Sequence, residues 1–232
     1  MHGNGSSLRQ AFALVILTVG GWHAAASDWP QWRGPNRDGA WAETGLVSSF
    51  SAPQIPLKWR ATVSNGYSGP TVAAGRVYVT DRVEAPEETE RVLCFDAETG
   101  APVWVHDYAA PYGPLSYKDG PRASVTIADG LAYSLGAVGH LRCLDAASGE
   151  LVWKKDPGAG YEVELPTWGI AAAPLVDGEL VIAQIGARNG GCLMAWDKRT
   201  GQERWRALDD PASYSAPVVT EQAGRRVVIC WT

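Results

Sequence analysis

The sequence predicts an all-β fold made of repeated four-stranded sheets, and two observations support this prediction. The first is a pattern, small-x-Asp-x-x-Thr/Ser-Gly-x-x-x-Trp, which occurs three times and ends at Trp104, Trp153 and Trp205. The second is its spacing, because successive copies lie roughly fifty residues apart, which is the period of a repeat architecture. Between the copies, short β-type runs alternate with Gly and Asp-Gly turns, and no helical period is present.

Each copy of the pattern predicts a β-hairpin. The aspartate stands where the first strand ends, and its short carboxylate can accept backbone N–H groups two residues further on. The glycine tolerates a positive φ in the turn. The tryptophan follows on the returning strand, and one indole at the same offset in every repeat predicts a ring that packs one repeat onto the next. These positions are Asp96, Asp145 and Asp197 for the aspartate, and Gly100, Gly149 and Gly201 for the glycine.

Two further strands precede the hairpin in each repeat. The predicted pairs of strands lie at 70–73 and 76–80, at 124–127 and 131–135, and at 174–176 and 179–183. A fourth repeat opens at 214–217 and continues through 226–230. Four antiparallel strands per repeat at this period predict a β-propeller, with about three complete blades, a partial fourth and an incomplete ring, over residues 57–232.

The run at Trp59 resembles the tryptophan strand of a repeat without the hairpin before it. A propeller closes by pairing its first and last blades, because an open ring leaves unpaired sheet edges. We therefore expect Trp59 to supply the outer strand of a last blade, in the N-terminal part of a longer propeller. The alternative is a compact ring of four blades, which the range of known propellers allows.

Residues 1–26 predict a secretory signal peptide, with Arg9 before an apolar run at 11–19 and small residues at 24–26. The run is shorter than the ~20 apolar residues of a membrane-spanning helix. The predicted location is therefore the periplasm or cell envelope. Residues 27–56 are predicted to be an irregular segment, and we expect Trp29, Trp32, Arg33 and Arg37 to cap the ring as a structural plug.

The net charge and the cysteine positions limit the partners and the disulfides that we expect. A net charge of −5 with no basic run argues against nucleic acid. Cys94 and Cys143 occupy equivalent positions of separate repeats, at a separation too large for a disulfide, so we expect buried free thiols. Cys192 and Cys230 suggest no pairing.

The hairpin patterns match the tryptophan-docking motif of quinoprotein-type (PQQ-like) β-propellers. The opening at 29–39, together with Gly66-Tyr-Ser-Gly-Pro70, resembles exported bacterial PQQ-like repeat proteins related to BamB, the propeller of the outer-membrane β-barrel assembly machinery. This resemblance implies periplasmic alcohol dehydrogenases that use pyrroloquinoline quinone (PQQ) and calcium, or non-enzymatic scaffolds. The sequence lacks the adjacent cysteine pair of the dehydrogenases and the lipidation cysteine of the scaffold.

No catalytic or metal-binding set is predicted. His106 and His140 are not at ligand spacing, so we expect them in solvent or at a sheet edge. The acidic residues of 84–90 are expected to form a solvated loop: Glu84, Glu87, Glu88 and Glu90. The binding candidates precede the inner strands, at the expected channel mouth: Tyr67, Arg122, Trp168 and Tyr214.

These observations favour an exported, non-enzymatic module that binds or scaffolds envelope proteins or other ligands. The alternative is a PQQ-dependent oxidoreductase whose remaining active-site residues lie beyond Thr232, and only this alternative includes PQQ and calcium. A weaker alternative is a carbohydrate-binding module that uses the exposed tyrosines and tryptophans.

Overall fold

The described part of the chain, residues 27–157 and 162–232 of a computed structural model, is all-β. It contains three four-stranded sheets and one two-stranded sheet. None of its elements is a helix with the length and apolar character to cross a membrane. The predicted signal peptide lies outside the described residues.

The fourteen strands of the described residues follow the repeats in chain order. Sheet 1 contains β1 (Thr71–Ala73), β2 (Arg76–Val83), β3 (Thr89–Asp96) and β4 (Pro102–Ala109). Sheet 2 contains β5 (Thr126–Ala128), β6 (Leu131–Leu135), β7 (Leu141–Asp145) and β8 (Leu151–Lys155). Sheet 3 contains β9 (Leu175–Asp177), β10 (Leu180–Ala187), β11 (Gly191–Asp197) and β12 (Glu203–Ala207). Sheet 4 contains β13 (Val218–Gln222) and β14 (Arg225–Ile229).

Within each sheet, consecutive strands pair antiparallel and in chain order. The first strands of neighbouring sheets contact one another, β1 with β5 and β5 with β9. Two buried threonines join them, since Thr71 Oγ1 donates to Val125 O and Thr126 Oγ1 donates to Pro174 O, each at 2.6 Å. The short first strands are therefore the inner strands of radially arranged sheets. The predicted propeller of three complete blades and a partial fourth is confirmed.

The apolar core lies between neighbouring sheets. Tyr133 and Trp153 of sheet 2 share one buried cluster with Val181, Met194 and Trp196 of sheet 3. A second cluster joins sheets 1 and 2 in the same way. Each sheet is therefore stabilised by the sheets beside it, as repeat architectures require.

The tryptophan of each hairpin stacks on the hairpin turn of the next sheet. A Cβ added to Gly149 would lie 2.6 Å from Cδ2 of Trp104, and a Cβ added to Gly201 would lie 2.7 Å from Cδ2 of Trp153. Both glycines have positive φ, at 76° and 69°. The turn glycine therefore provides both the backbone conformation and the flat surface that the indole covers.

Hydrogen bonds repeat along with this stacking. Trp104 Nε1 donates to Ala146 O at 3.1 Å and Trp153 Nε1 donates to Lys198 O at 3.0 Å. Tyr78 and Tyr133 donate to the same two carbonyl groups, at 3.2 and 3.0 Å. At each contact between two complete sheets, one tryptophan and one tyrosine therefore donate hydrogen bonds to the same carbonyl oxygen.

Trp59 and Trp205 mark the two ends of the series. Trp59 lies outside the named strands, but a Cβ added to Gly100 would lie 2.6 Å from its ring, and its Nε1 donates to Ala97 O at 3.0 Å. Trp205 packs instead against the cluster of sheets 3 and 4 that contains Val219 and Val228.

The irregular segment before sheet 1 runs along the inner strands. Trp29 pairs with Val72 of β1, and Ile127 of β5 donates to Pro30 O at 2.7 Å. Arg37 is buried and donates to the carbonyl groups of Pro174 and Pro217, immediately before β9 and β13. One segment of chain therefore contacts all four sheets.

Candidate functional site

The loops that join an outer strand to the next inner strand all lie at one end of the sheets. This follows from the antiparallel order, which also places the turn between the second and third strands at that end. We call this end the loop face. The hairpin aspartates and glycines lie at the opposite end.

Three aromatic rings from three different loops meet on the loop face. Trp168 stacks on Tyr214 with 5.1 Å between ring centroids and an interplanar angle of 30°. Tyr117 meets Trp168 edge-on at 6.2 Å. The rings remain accessible, since Tyr117, Trp168 and Tyr214 are 66%, 50% and 42% exposed. Exposed aromatic rings in mutual contact are typical of binding surfaces.

Arg122 organises the loop that carries Tyr117. Its guanidinium donates to the carbonyl groups of Ser116, Tyr117 and Gly120. Tyr117 has a φ of 55°, a left-handed conformation that bulky residues rarely adopt. The loop is therefore held by side-chain hydrogen bonds in a conformation that its own sequence does not favour.

Tyr67 extends this surface on the other side of Arg122. The Arg122 guanidinium lies 5.3 Å from the centroid of the Tyr67 ring, and Tyr67 Oη donates to Asp119 at 2.6 Å. This hydrogen bond raises the pKa of Tyr67. The four predicted binding residues thus form two contacting pairs, Tyr67 with Arg122 and Trp168 with Tyr214. Tyr117, outside the predicted set, connects the pairs, and we call all five the aromatic surface.

A buried carboxylate lies below the neighbouring part of the loop face. Glu90 is fully buried in β3, although it was expected in a solvated acidic loop. Tyr108 Oη donates to it at 2.6 Å, Tyr112 Oη donates to its other oxygen, and the backbone N–H of Ala137 donates at 2.9 Å. The expectation was wrong for Glu90 because strand pairing turns its side chain inward.

Two arginines pack on the tyrosine rings that donate to this carboxylate. Arg142 lies 4.2 Å from the centroid of Tyr108, and Arg82 lies 4.3 Å from that of Tyr112. Burial raises the pKa of both tyrosines, so their hydroxyls stay protonated and donate to Glu90. The two arginines contact the rings by cation–π interactions and form their ion pairs elsewhere, Arg82 with Glu84 and Glu88 and Arg142 with Asp156.

A cleft of about 740 Å³ opens above this network. It lies between the loop after β4 and the loop after β8, and Tyr112, His140, Glu162 and Arg188 supply its polar groups. His140 was expected in solvent or at a sheet edge, but its ring lies 5.4 Å from that of Tyr108. Burial and the nearby Arg142 lower the pKa of His140 to about 4.

Sequence reasoning missed most of this second site. Glu90 belongs to β3 and Tyr112 to the loop after β4, and no periodic signal relates them. Tyr78 and Tyr133 were also missed, but they follow Gly75 and Gly130 at the same offset. An alignment of the repeats to one another would have identified these tyrosines.

Residues 27–157 and 162–232 contain no group of three His, Cys, Asp or Glu side chains that could hold a metal ion. The four cysteines are free, and Cys94 and Cys143 are buried. Burial raises the pKa of these two thiols, to about 11 and about 12.

Comparisons with known proteins give one family. The model described as "Outer membrane protein assembly factor BamB" matches residues 40–121 and 88–229. Quinohemoprotein alcohol dehydrogenase ADH-IIG of Pseudomonas putida is 27% identical, over 90% of this chain and 32% of that protein. Quinohemoprotein alcohol dehydrogenase of Comamonas testosteroni is 26% identical, over 87% of this chain and 28% of that protein.

The crystal structure of the Comamonas testosteroni enzyme shows the same fold. It matches with a TM-score of 0.58 and 24% identity, over 79% of this chain and 28% of that chain. The chain thus spans about a third or less of the length of these relatives.

Proposed function

Because this chain belongs to the family described as outer membrane protein assembly factor BamB, we propose that it is a non-enzymatic binding module of the cell envelope with a protein partner. The aromatic surface is the observation that supports this function most directly. Its rings come from loops of three sheets, are held by Arg122 and by ring stacking, and stay exposed. A rigid aromatic surface binds a partner with little loss of conformational entropy.

Cross-linking in cells tests this proposal. A photoreactive amino acid replaces Tyr117 in the full-length protein, and the control replaces Val152, which is 47% exposed on β8. We expect a discrete protein adduct from position 117 and none from position 152. Trp168→Ala and Tyr214→Ala should each reduce that adduct about tenfold, because aromatic residues dominate binding energy at interfaces.

The same adducts from both positions would contradict the proposal, because contact would then not depend on the aromatic surface. Unchanged adducts in the Trp168→Ala and Tyr214→Ala proteins would contradict it as well. Either result can be obtained without knowing the partner in advance.

A quinone-dependent oxidoreductase is the second candidate, favoured by the names of the two relatives that cover 87% and 90% of this chain. No three His, Cys, Asp or Glu side chains converge among the described residues, so these residues offer no carboxylate cluster for calcium. Titration of the full-length protein with PQQ and Ca²⁺ tests the candidate. Saturable quenching of tryptophan fluorescence would favour it, and a flat titration would remove it.

A further inference from the structure

We propose that Cys192 and Cys230 form a disulfide bond that links sheet 4 to sheet 3. Cys192 lies in β11 of sheet 3, and Cys230 directly follows β14 of sheet 4. Disulfides form and persist outside the cytoplasm, whereas cytosolic thiols are kept reduced. The inference therefore rests on the proposed function in one respect, which is the location in the cell envelope.

Both sulfur atoms lie beside one buried side chain, the amide of Gln184 in β10. Gln184 Nε2 donates to Cys192 Sγ at 3.9 Å and to Trp231 O at 3.0 Å. Cys230 Sγ donates to the same Trp231 oxygen at 4.0 Å. No step from one sulfur to the other through these atoms exceeds 4.0 Å, so the two thiols belong to one region of contact between the sheets.

The apolar cluster between sheets 3 and 4 also brings the two cysteines together. Cys230 packs against the cluster that contains Leu193, the residue next to Cys192. Burial, and after it the neighbouring Cys192, raises the pKa of the Cys230 thiol to about 11. An electrostatic effect of one sulfur on the other requires that the two lie close together.

The backbone at this point departs from the even stacking of sheets. A disulfide needs Cα atoms within roughly 7 Å, whereas evenly stacked sheets lie about 10 Å apart. The register of β10 against β11 shifts between Gln184 and Ala187, and such a bulge bends the strand. The hydrogen bond from Gln184 to Trp231 O shows that the chain after β14 comes within reach of one side chain of β10.

The reaction is thiol–disulfide exchange with a disulfide oxidant, either glutathione disulfide or a protein disulfide. The Cys230 thiolate attacks one sulfur of the oxidant, forms a mixed disulfide with it and releases the other sulfur as a thiol. The Cys192 thiolate then attacks Cys230 Sγ and releases the remaining oxidant sulfur. One S–S bond breaks and one forms, and two electrons and two protons pass from the cysteines to the oxidant.

The bond forms during folding, before sheet 4 packs on sheet 3. Burial raises the pKa of the Cys192 thiol as well as that of Cys230, and the thiolate is the reactive form. In the unpacked chain both thiols have an ordinary pKa of about 8.5, so exchange is faster there. The finished bond closes a covalent loop that contains Tyr214 of the aromatic surface.

Peptide mapping of the full-length protein tests the inference. Cells are quenched with acid, the protein is denatured in N-ethylmaleimide to block free thiols, and trypsin digests it without reduction. The four cysteines fall in four different tryptic peptides, because Lys or Arg residues separate them. We expect peptide 189–198 linked to the peptide that begins at Val227, with Cys94 and Cys143 alkylated. Alkylation of both Cys192 and Cys230 would overturn the inference.

A thermal melt with and without dithiothreitol gives a second test. The reductant should lower the melting temperature of the unmodified protein by about 5 °C, the usual effect of losing one disulfide in a domain of this size. Cys230→Ala has no bond to lose, so its melting temperature should not change. The same response in both proteins would contradict the inference. The peptide map needs only the unmodified protein, so it stands even if Cys230→Ala does not fold.

The results separate this inference from the proposed function. If both cysteines are alkylated while position 117 still gives a specific adduct, the inference falls and the proposed function stands. If the linked peptides are found but position 117 gives no specific adduct, the proposed protein contact falls and the disulfide stands.

Discussion

The contact between an indole and a glycine is the residue-scale basis of this structure. At Gly149, the chain needs a positive φ for the turn and an empty Cβ position for Trp104. Both requirements fall on one residue, and only glycine meets them. The same pair recurs as Trp59 with Gly100 and Trp153 with Gly201.

Substitution of Gly149 by alanine should therefore destabilise the protein by about 3 kcal/mol, since a strained backbone adds to overpacking against Trp104. Gly130→Ala is the matched control, because Gly130 has a φ of 77° and no atom within 4 Å of its added Cβ. It should cost only about 1 kcal/mol. Urea unfolding measures both free energies, and equal losses would mean that the indole contact contributes nothing.

The buried environment of Glu90 could not be predicted from the residues next to it in the sequence. In the sequence it follows three other glutamates of an acidic stretch, which indicates a solvated loop. In the structure it is the acceptor of a buried network. Nothing in the local sequence distinguishes Glu90 from Glu87, because its donors come from β4, from the loop after β4 and from the turn after β6.

At the scale of the element, the hairpin turn stabilises itself. Asp145 Oδ1 accepts the backbone N–H groups of Ala147 and Ser148, at 3.0 and 2.8 Å, and the Ser148 hydroxyl at 3.0 Å. Asp96 and Asp197 make the same set of bonds. These bonds lower the pKa of Asp96 and Asp145, and the Arg204 guanidinium together with the same turn bonds lowers the pKa of Asp197.

Asp145→Ala should lower the melting temperature by about 3 °C at neutral pH, because the turn loses its acceptor. The pKa of Asp145 is lowered in the folded protein, so this stabilisation is present above pH ~4 and is lost as pH falls through the folded pKa. The difference from the unmodified protein should therefore shrink in acid. Asp210→Ala, at an exposed position, is the control in a thermal melt, and a difference independent of pH would contradict the charge argument.

At the scale of the whole molecule, the segment before sheet 1 links the blades. Arg37 donates to Pro217 O at 2.8 Å, to Pro174 O, and to Gln31 Oε1 at 2.8 Å within its own segment. Burial lowers its pKa to about 10, so it remains charged at neutral pH. A charged donor on buried carbonyl groups is stronger than a neutral one.

Arg37→Ala should therefore loosen sheet 4, which otherwise contacts sheet 3 through their shared apolar cluster and the Arg226–Asp177 ion pair. We expect the amide hydrogens of β13 and β14 to exchange about tenfold faster, which corresponds to the loss of about one charged hydrogen bond. Arg33→Ala is the control, because Arg33 donates to Asp38 O within the segment itself and not to a sheet among the described residues. Equal exchange in both variants would show that the segment does not restrain sheet 4.

The candidate sites form where loops of different sheets pack against one another. The sequence predicted that Tyr67, Arg122, Trp168 and Tyr214 precede inner strands, and that much depends only on the repeat. Their grouping depends on how loops of different sheets fold over one another, such as the stacking of Trp168 on Tyr214 and the left-handed Tyr117 held by Arg122. The cleft with His140 was not predicted for the same reason.

By itself, the sequence determined the all-β class, the period, the hairpin turns and the tryptophan positions. Each of these is a local property, fixed by residues within one turn or repeated from one blade to the next. Only the tertiary structure decided that Glu90 is buried, that His140 lines a cleft and that three loops form one aromatic surface. Those contacts join residues far apart in the chain, and their geometry follows from the packing of whole sheets.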